Sequence, residues 1–389
     1  MVLLLEILFY AVSFLVINSF FIYPFVLYLK SRKHTKIVTD INYSPTISIL
    51  IAAYNEETVI EERIKNLSGM NYDLSKVEIF IGSDASTDRT NDILLEQKKK
   101  YNWLNVYISE ERKGKAGILN ELYKQAGNEI LVFTDANTQF HKDALNNLIE
   151  DFSNEKIGGV CGKLVLMDNE KSKSEGVEEA EYWKYETIIK TMEGKCGILL
   201  AANGGIFAIR KELFHPVPIL NAVTDDLFIS LSVIADGYKF TYRNDAVAYE
   251  DTGKDVSAEY KRKVRFGATN FETLIYFKQL LWNKNKFLSY AFFSHKVTRW
   301  FLPLLLILLF ITGLILADSN DLINKIFYLQ VIIYLLALCG YLLSQIKIRI
   351  PFFSIPYFFV VSNIAIAEGF IKFIKKEHSV IWNATERSK

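Results

Sequence analysis

The stretch Leu131-Val132-Phe133-Thr134-Asp135-Ala136-Asn137 decides how this chain is read. β-prone apolar residues run straight into a carboxylate and, two positions on, an amide. That is the pattern of a buried strand ending at its C-terminal edge. It delivers Asp135 and Asn137 to the crevice where open α/β sheets bind ligands. A carboxylate and an amide at this spacing can both reach one hard cation, which takes oxygen ligands and shares itself with substrate phosphates. A strand closed by an Asx turn would use the same residues, so the neighbouring stretches have to choose.

Upstream, Thr46–Ile51 reads as a first buried strand that breaks at Ala53-Tyr54-Asn55-Glu56-Glu57. Asn55 is placed to cap a helix, and the two acids suit its positive end. Ile60, Ile64 and Leu67 then recur at helical spacing. A second strand, Val77–Ile81, ends at Asp84, and Asp88 caps the helix around Ile93–Leu95. A third strand near Leu104–Ile108 precedes the turn Arg112-Lys113-Gly114-Lys115-Ala116 and a helix carrying Asn120. Alternation at this pitch predicts an α/β domain with a mostly parallel sheet and helices on both faces. Tyr54-Asn55-Glu56, Asp84 and Asp135 then share one edge, with Lys115 beside them. Acids there suit ribose hydroxyls and a cation, and the lysine suits phosphate. Neither G-x-G-x-x-G nor G-x-x-x-x-G-K-[ST] occurs at the expected place, which weakens a dinucleotide reading and removes a P-loop one.

Beyond Asn137 the alternation loosens. A helix near Lys142–Phe152 leads to a strand, Gly158–Leu166, and a long helix, about Ser174–Glu193. In Ala201-Ala202-Asn203-Gly204-Gly205 the glycines allow close approach of backbone to a ligand or another strand. Thr224-Asp225-Asp226 opens a helix to Ala235, with Thr224 as its cap. Adjacent acids at a helix start also have an ordinary explanation in the helix dipole.

The ends of the chain belong in a membrane. Val2–Leu29 holds one acid, Glu6, and its basic cluster (Lys30, Arg32, Lys33, Lys36) follows the apolar run. A cleaved signal would have its basic residues first, so this is a retained anchor with its basic side inside. Phe301–Ala317, Phe327–Ser344 and Ile350–Ile371 are further spans or near-spans. The third contains Pro351, Pro356, Asn363 and Glu368, and reads as a span, a re-entrant segment or an interfacial one. If all three cross, the basic tail lies outside, against the positive-inside tendency. The expected organisation is an anchor over 1–30, a basic linker over 31–45 and a cytoplasmic domain over 46–255. Amphipathic interface helices over 256–300, membrane segments over 301–371 and a basic tail over 372–389 follow. The 389 residues carry a net charge of +1, which offers nucleic acid no bulk attraction. Cys161, Cys196 and Cys339 have no paired spacing and read as buried free thiols.

Taken together these stretches resemble membrane-anchored, inverting family 2 glycosyltransferases of GT-A fold, the group of the hyaluronan, cellulose and poly-N-acetylglucosamine synthases. The resemblance runs from about Ser48 to Trp300. It implies that Tyr54, Glu56, Asp84, Lys115, Asn120, Arg299 and Trp300 hold a nucleotide sugar. Asp135-Ala136-Asn137 stands in the D-x-D position, so Asp135 and Asn137 would hold Mg2+ or Mn2+. Thr224-Asp225-Asp226 looks like the family's T-E-D, which makes Asp226 the catalytic base with Asp225 beside it. Asn203, Gly204 and Trp300 would face the acceptor. Lys296-Val297-Thr298-Arg299-Trp300 looks like Q-x-x-R-W. Asn137 in place of Asp and Lys296 in place of Gln are departures: the first bears on metal affinity, the second on processivity.

The resemblance thus implies transfer from a UDP-sugar to a glycan or lipid-linked acceptor, by processive or single addition, in exopolysaccharide or cell-surface polysaccharide synthesis. The enzyme would be a multi-pass protein of the plasma membrane with a cytoplasmic catalytic domain. Its partners would be membrane lipids and a possible further subunit or second copy. A non-catalytic nucleotide-sugar-binding subunit of an export complex is the alternative from a different class.

Overall fold

The computed structural model describes residues 1–33, 40, 42–167, 177–220, 222–251, 256–317, 319–346, 348 and 350–377. Most of the linker around Lys36 and most of the basic tail, Arg387 and Lys389 included, lie outside these residues. The chain divides into two compact units.

The first unit to consider comprises 30–171 and 187–254, and it holds one eight-stranded sheet in the order β3-β2-β1-β4-β7-β6-β8-β5. The strands are β1 Ile47–Ala53, β2 Val77–Asp84, β3 Leu104–Ser109, β4 Ile130–Phe133, β5 Thr138–Phe140, β6 Ile157–Met167, β7 Phe207–Arg210 and β8 Lys239–Asp251. β1 and β4 are buried along their whole length, which is why they read as continuous apolar runs rather than alternating ones. β1, β2, β3 and β4 are parallel neighbours, as expected. The other half is mixed: β7 runs antiparallel to both β4 and β6, and β5 antiparallel to β8. The sheet is therefore a mixed one. Four-residue β7 follows the Asn203-Gly204-Gly205 turn directly and enters the sheet from the opposite end.

Local signals hold with small shifts. Asp88 accepts from Thr90 N–H (3.0 Å) at the start of the helix Thr90–Lys100. Asn55 does not cap the next helix, which begins only at Ile60. It adopts a left-handed backbone (φ 53°) and accepts from Thr87 N–H (2.8 Å), tying the loop after β1 to the loop after β2. Thr224 holds the cap position of the helix Asp225–Ala235 without a side-chain cap bond.

The second unit comprises 1–29, 172–186 and 255–378. Three of its helices are long and apolar enough to cross a membrane: Val2–Ser31, Asp321–Gln345 and Pro351–Lys375. A fourth crossing is possible if Lys286–Trp300 and Leu302–Ile315, bent by 70°, act as one. Leu302–Ile315, the purest apolar stretch in the sequence, has 14 residues. That is about 21 Å of helix against roughly 30 Å of hydrocarbon. Pro351–Lys375 runs on through Pro356 without a break. Gln330 and Asn363 are buried in protein, as polar groups at membrane depth should be. Asn18 and Ser294 lie on two π-helical turns, and Asn18 Nδ2 donates to Ser294 Oγ (2.8 Å). Of the cysteines, Cys161 is buried, but Cys339 is exposed on the helix Asp321–Gln345.

The helices Val256–Phe277 and Pro351–Lys375 cross at Gly267 and Gly369. A Cβ on Gly369 would lie 2.3 Å from Val264 O and 2.7 Å from Ala268 N. Backbone stands on both sides, so neither helix can yield locally. Gly369→Leu should therefore cost at least about 2 kcal/mol by overpacking. Thermal unfolding of the detergent-purified protein checks this; an unchanged midpoint would mean that the crossing does not hold the unit together.

Candidate active site

Lys115 is the hub. It is the second residue of the helix Gly114–Gln125. Its Nζ lies 2.8 Å from Asp135 Oδ1, just past β4, and 2.9 Å from Asp225 Oδ2, at the start of the helix Asp225–Ala235. Burial works against its charge, but Asp135 and Asp225 outweigh that and hold the ammonium well above the ordinary lysine range.

Asp84 builds the loop that carries Lys115. Its carboxylate is fully buried. Oδ1 accepts from Lys113 N–H (2.6 Å); Oδ2 accepts from Gly114 N–H (3.1 Å) and Arg112 Nε (2.9 Å). The Arg112 guanidinium stacks on the Tyr54 ring, 3.4 Å from its centroid. Asp84 thus acts on its surroundings through Arg112 and the start of this helix. Glu56, also nearly buried, donates its N–H to Thr90 Oγ1 (2.8 Å).

Gly204 marks where the groups converge. A Cβ there would lie 3.4 Å from Asp226 Oδ2, 3.7 Å from Asp135 Oδ2 and 3.8 Å from Lys115 Nζ. The missing side chain leaves a cradle bounded by two carboxylates and an ammonium. Asn203 fixes this turn from behind: it is buried, donates Nδ2 to Gly162 O (2.8 Å), and accepts from buried Lys190 at Oδ1. Asn120 spends its amide on both backbone atoms of Val217 (2.9 and 2.8 Å) and so pins the loop after β7.

Asp226 differs from its neighbours. Burial, then the charge of Asp225, push its carboxyl up to about 6, against the opposing pull of Lys115 and Lys190. A carboxylate near 6 is suited to proton abstraction at neutral pH, because it is ionised there yet basic.

The donor set fits a hard divalent cation. Asp135 and Asn137 carry oxygens of the kind such ions take, and Asp135 Oδ2 lies 3.7 Å from where a Cβ on Gly204 would stand. No group of three His, Cys, Asp or Glu able to hold a metal occurs among the described residues, so substrate oxygens would have to complete the shell.

Arg299 and Trp300 belong to the other unit. Arg299 Nη1 donates to Glu186 Oε1 and Nη2 to Tyr185 OH (3.1 Å). Trp300 is 6% exposed and edge-on to Phe292, so its ring face is inside packing. Three participants went unseen in the sequence: Arg63, Lys190 and Glu250. Fully buried Arg63 donates to Thr134 Oγ1 (2.8 Å), which donates on to Gly205 O (2.7 Å). Burial lowers it to about 9, with Asp135 opposing, so it is cationic at neutral pH. A signal existed: Arg63 lies on the stripe of Ile60, Ile64 and Leu67.

Residues 48–216 match the sequence model of glycosyl transferase family 2. That part of the chain resembles a family 2 glycosyltransferase domain. A poly-β-1,6-N-acetyl-D-glucosamine synthase of Staphylococcus epidermidis is 28% identical over 232 residues, 59% of this chain and 55% of the synthase. The probable glycosyltransferase YdaM of Bacillus subtilis is 24% identical over 77% of this chain and 71% of its own length. Among solved structures, a mannosyltransferase of Pyrobaculum calidifontis in complex with GDP-mannose and Mn2+ superposes with a TM-score of 0.71. It is 19% identical, covering 96% of this chain and 100% of that one, and shows the GT-A fold.

The raised carboxyl of Asp226 has a stability consequence. A carboxyl whose folded value exceeds its unfolded one stabilises the fold fully below the unfolded value, about 4, and that contribution is lost as pH rises through about 6. Asp226→Asn removes the titration. In EDTA the variant should gain on the parent between about pH 4 and pH 7, by about 1–3 kcal/mol. Denaturant titrations across that range test this; parallel curves would show that the folded site does not disfavour the charge.

Proposed function

We propose that this chain transfers a sugar from a UDP-sugar to a membrane-associated glycan or lipid-linked acceptor, with inversion, in the synthesis of a cell-surface polysaccharide. The observation that carries the proposal is the convergence of Asp135, Lys115 and Asp226 on the Gly204 cradle at the sheet edge. Relatives that include a poly-N-acetylglucosamine synthase support the reaction class. Asp226 takes the proton from the acceptor hydroxyl as that oxygen attacks the anomeric carbon. The bond from that carbon to the diphosphate oxygen breaks in the same displacement, which inverts the centre. Asp135 and Asn137 would hold Mg2+ or Mn2+, which would supply positive charge against the leaving diphosphate. Lys115 holds Asp135 and Asp225 in place through its two ion pairs. The Tyr54–Arg112 stack and the loop set by Asp84 form the nucleotide end of the site.

Helices long enough to span support a multi-pass protein of the plasma membrane. Lys30, Arg32 and Lys33 at the end of the first helix support a cytoplasmic catalytic domain.

The test is UDP or GDP release by the detergent-purified protein, given Mg2+ or Mn2+ and one donor at a time from a panel of UDP-sugars and GDP-mannose. We expect release with a UDP-sugar and a loss of at least about 10²-fold in Asp226→Asn, with UDP affinity retained. Release only from GDP-mannose would overturn the choice of nucleotide. Undiminished release by Asp226→Asn would remove that residue as the base. Asp135→Ala should abolish the metal-dependent part of UDP affinity in calorimetry; an unaltered metal dependence would move the ion elsewhere.

A further inference from the structure

Asn137 stands where a second carboxylate was expected, and the structure shows what accompanies the change. Its Nδ2 donates to Glu250 Oε1 (3.1 Å). Glu250 lies on β8 directly opposite Thr138, the first residue of β5, so the two strands are held in register at this point. On the other side Thr138 N–H donates to Asp135 O (3.3 Å), and the intervening Ala136 is 2% exposed. The turn from Asp135 to Asn137 is therefore gripped at both ends.

An ionised glutamate only accepts hydrogen bonds. Facing Asn137, it takes the NH2 end of the amide and turns the oxygen end away from β8. An unrestrained asparagine presents either end. Resting on the cation site proposed above, we propose that Glu250 is a positioning residue for that site. It orients Asn137 so that oxygen, not NH2, is offered to the cation, and it keeps one carboxylate beside the turn where the expected pair has become a carboxylate and an amide. Partners that orient metal ligands typically alter affinity by about 10–100-fold when removed.

The pairing also has a sense. Asn137→Asp alone would set two carboxylates against each other. Asn137→Asp with Glu250→Gln would restore a hydrogen bond of reversed direction, because the glutamine amide can donate.

The experiment uses the full chain in detergent and measures UDP affinity by calorimetry in Mn2+ and in EDTA. Glu250→Leu should weaken UDP binding about 10–100-fold in Mn2+ and leave it unchanged in EDTA. Glu250→Gln, whose oxygen still accepts from Asn137, should stay within a few-fold of the parent. Equal losses in both media, or Glu250→Gln as impaired as Glu250→Leu, would overturn the orienting role.

Thermal unfolding in EDTA supplies a second readout should Glu250→Leu fold poorly. At pH 7.5 Asn137→Asp should melt below the parent, and the double variant should recover most of the loss. Additive shifts would show that the two positions are not coupled. A parent whose UDP affinity ignores Mn2+ would overturn the cation site together with this inference. A parent that responds while Glu250→Leu matches it overturns only the role of Glu250.

Discussion

One ammonium shared between two carboxylates organises the catalytic unit. Asp135 ends a strand and Asp225 begins a helix, ninety positions apart in the chain, and Lys115 binds both within 2.9 Å. Two acids brought this close without a cation would repel. Lys115 bridges the two, and the neighbouring Asp226 is left as the acid whose burial is only partly compensated. Different environments set neighbouring carboxyls apart: Asp135 and Asp225 are paired with Lys115, while burial raises Asp226.

Lys115 depends in turn on Asp84. A buried carboxylate that accepts from two backbone N–H groups and a guanidinium fixes the first turn of the helix Gly114–Gln125. It sits where such a charge is favoured by the helix dipole. Gly114 enters that turn with φ 73°, a backbone conformation that costs glycine little. The chain of dependence runs from a strand end through a helix start to the reacting groups. The buried side chains Asp84, Arg63 and Lys190 hold the loops; the partly exposed Lys115, Asp135 and Asp225 form the ion-paired cluster.

The other unit follows a different rule. Three of its helices are long and apolar enough to cross a membrane, and its helices approach through small residues and are tied by polar pairs. Gly267 against Gly369, and Asn18 against Ser294, are the instances. Arg299, with Glu186 and Tyr185 as partners, is held in the same way.

Much of this was legible in the residues. The apolar runs of β1, β2 and β4, and the acids and lysine at their ends, were visible because strand burial and strand-end polarity are local properties. So were the helices near both ends that are long and apolar enough to cross a membrane, since such length and hydropathy are local properties. Tertiary structure decided the rest. β7 runs antiparallel because it enters from the far side of the sheet, which four residues cannot announce. Asn55, read as a helix cap, bonds the loop after β2 instead, and Asn120 and Asn203 bond the protein's own backbone and side chains. The partnership of Asn137 with Glu250 spans 113 positions. A sequence states which groups are polar; only the fold states whether a ligand or the protein itself will satisfy them.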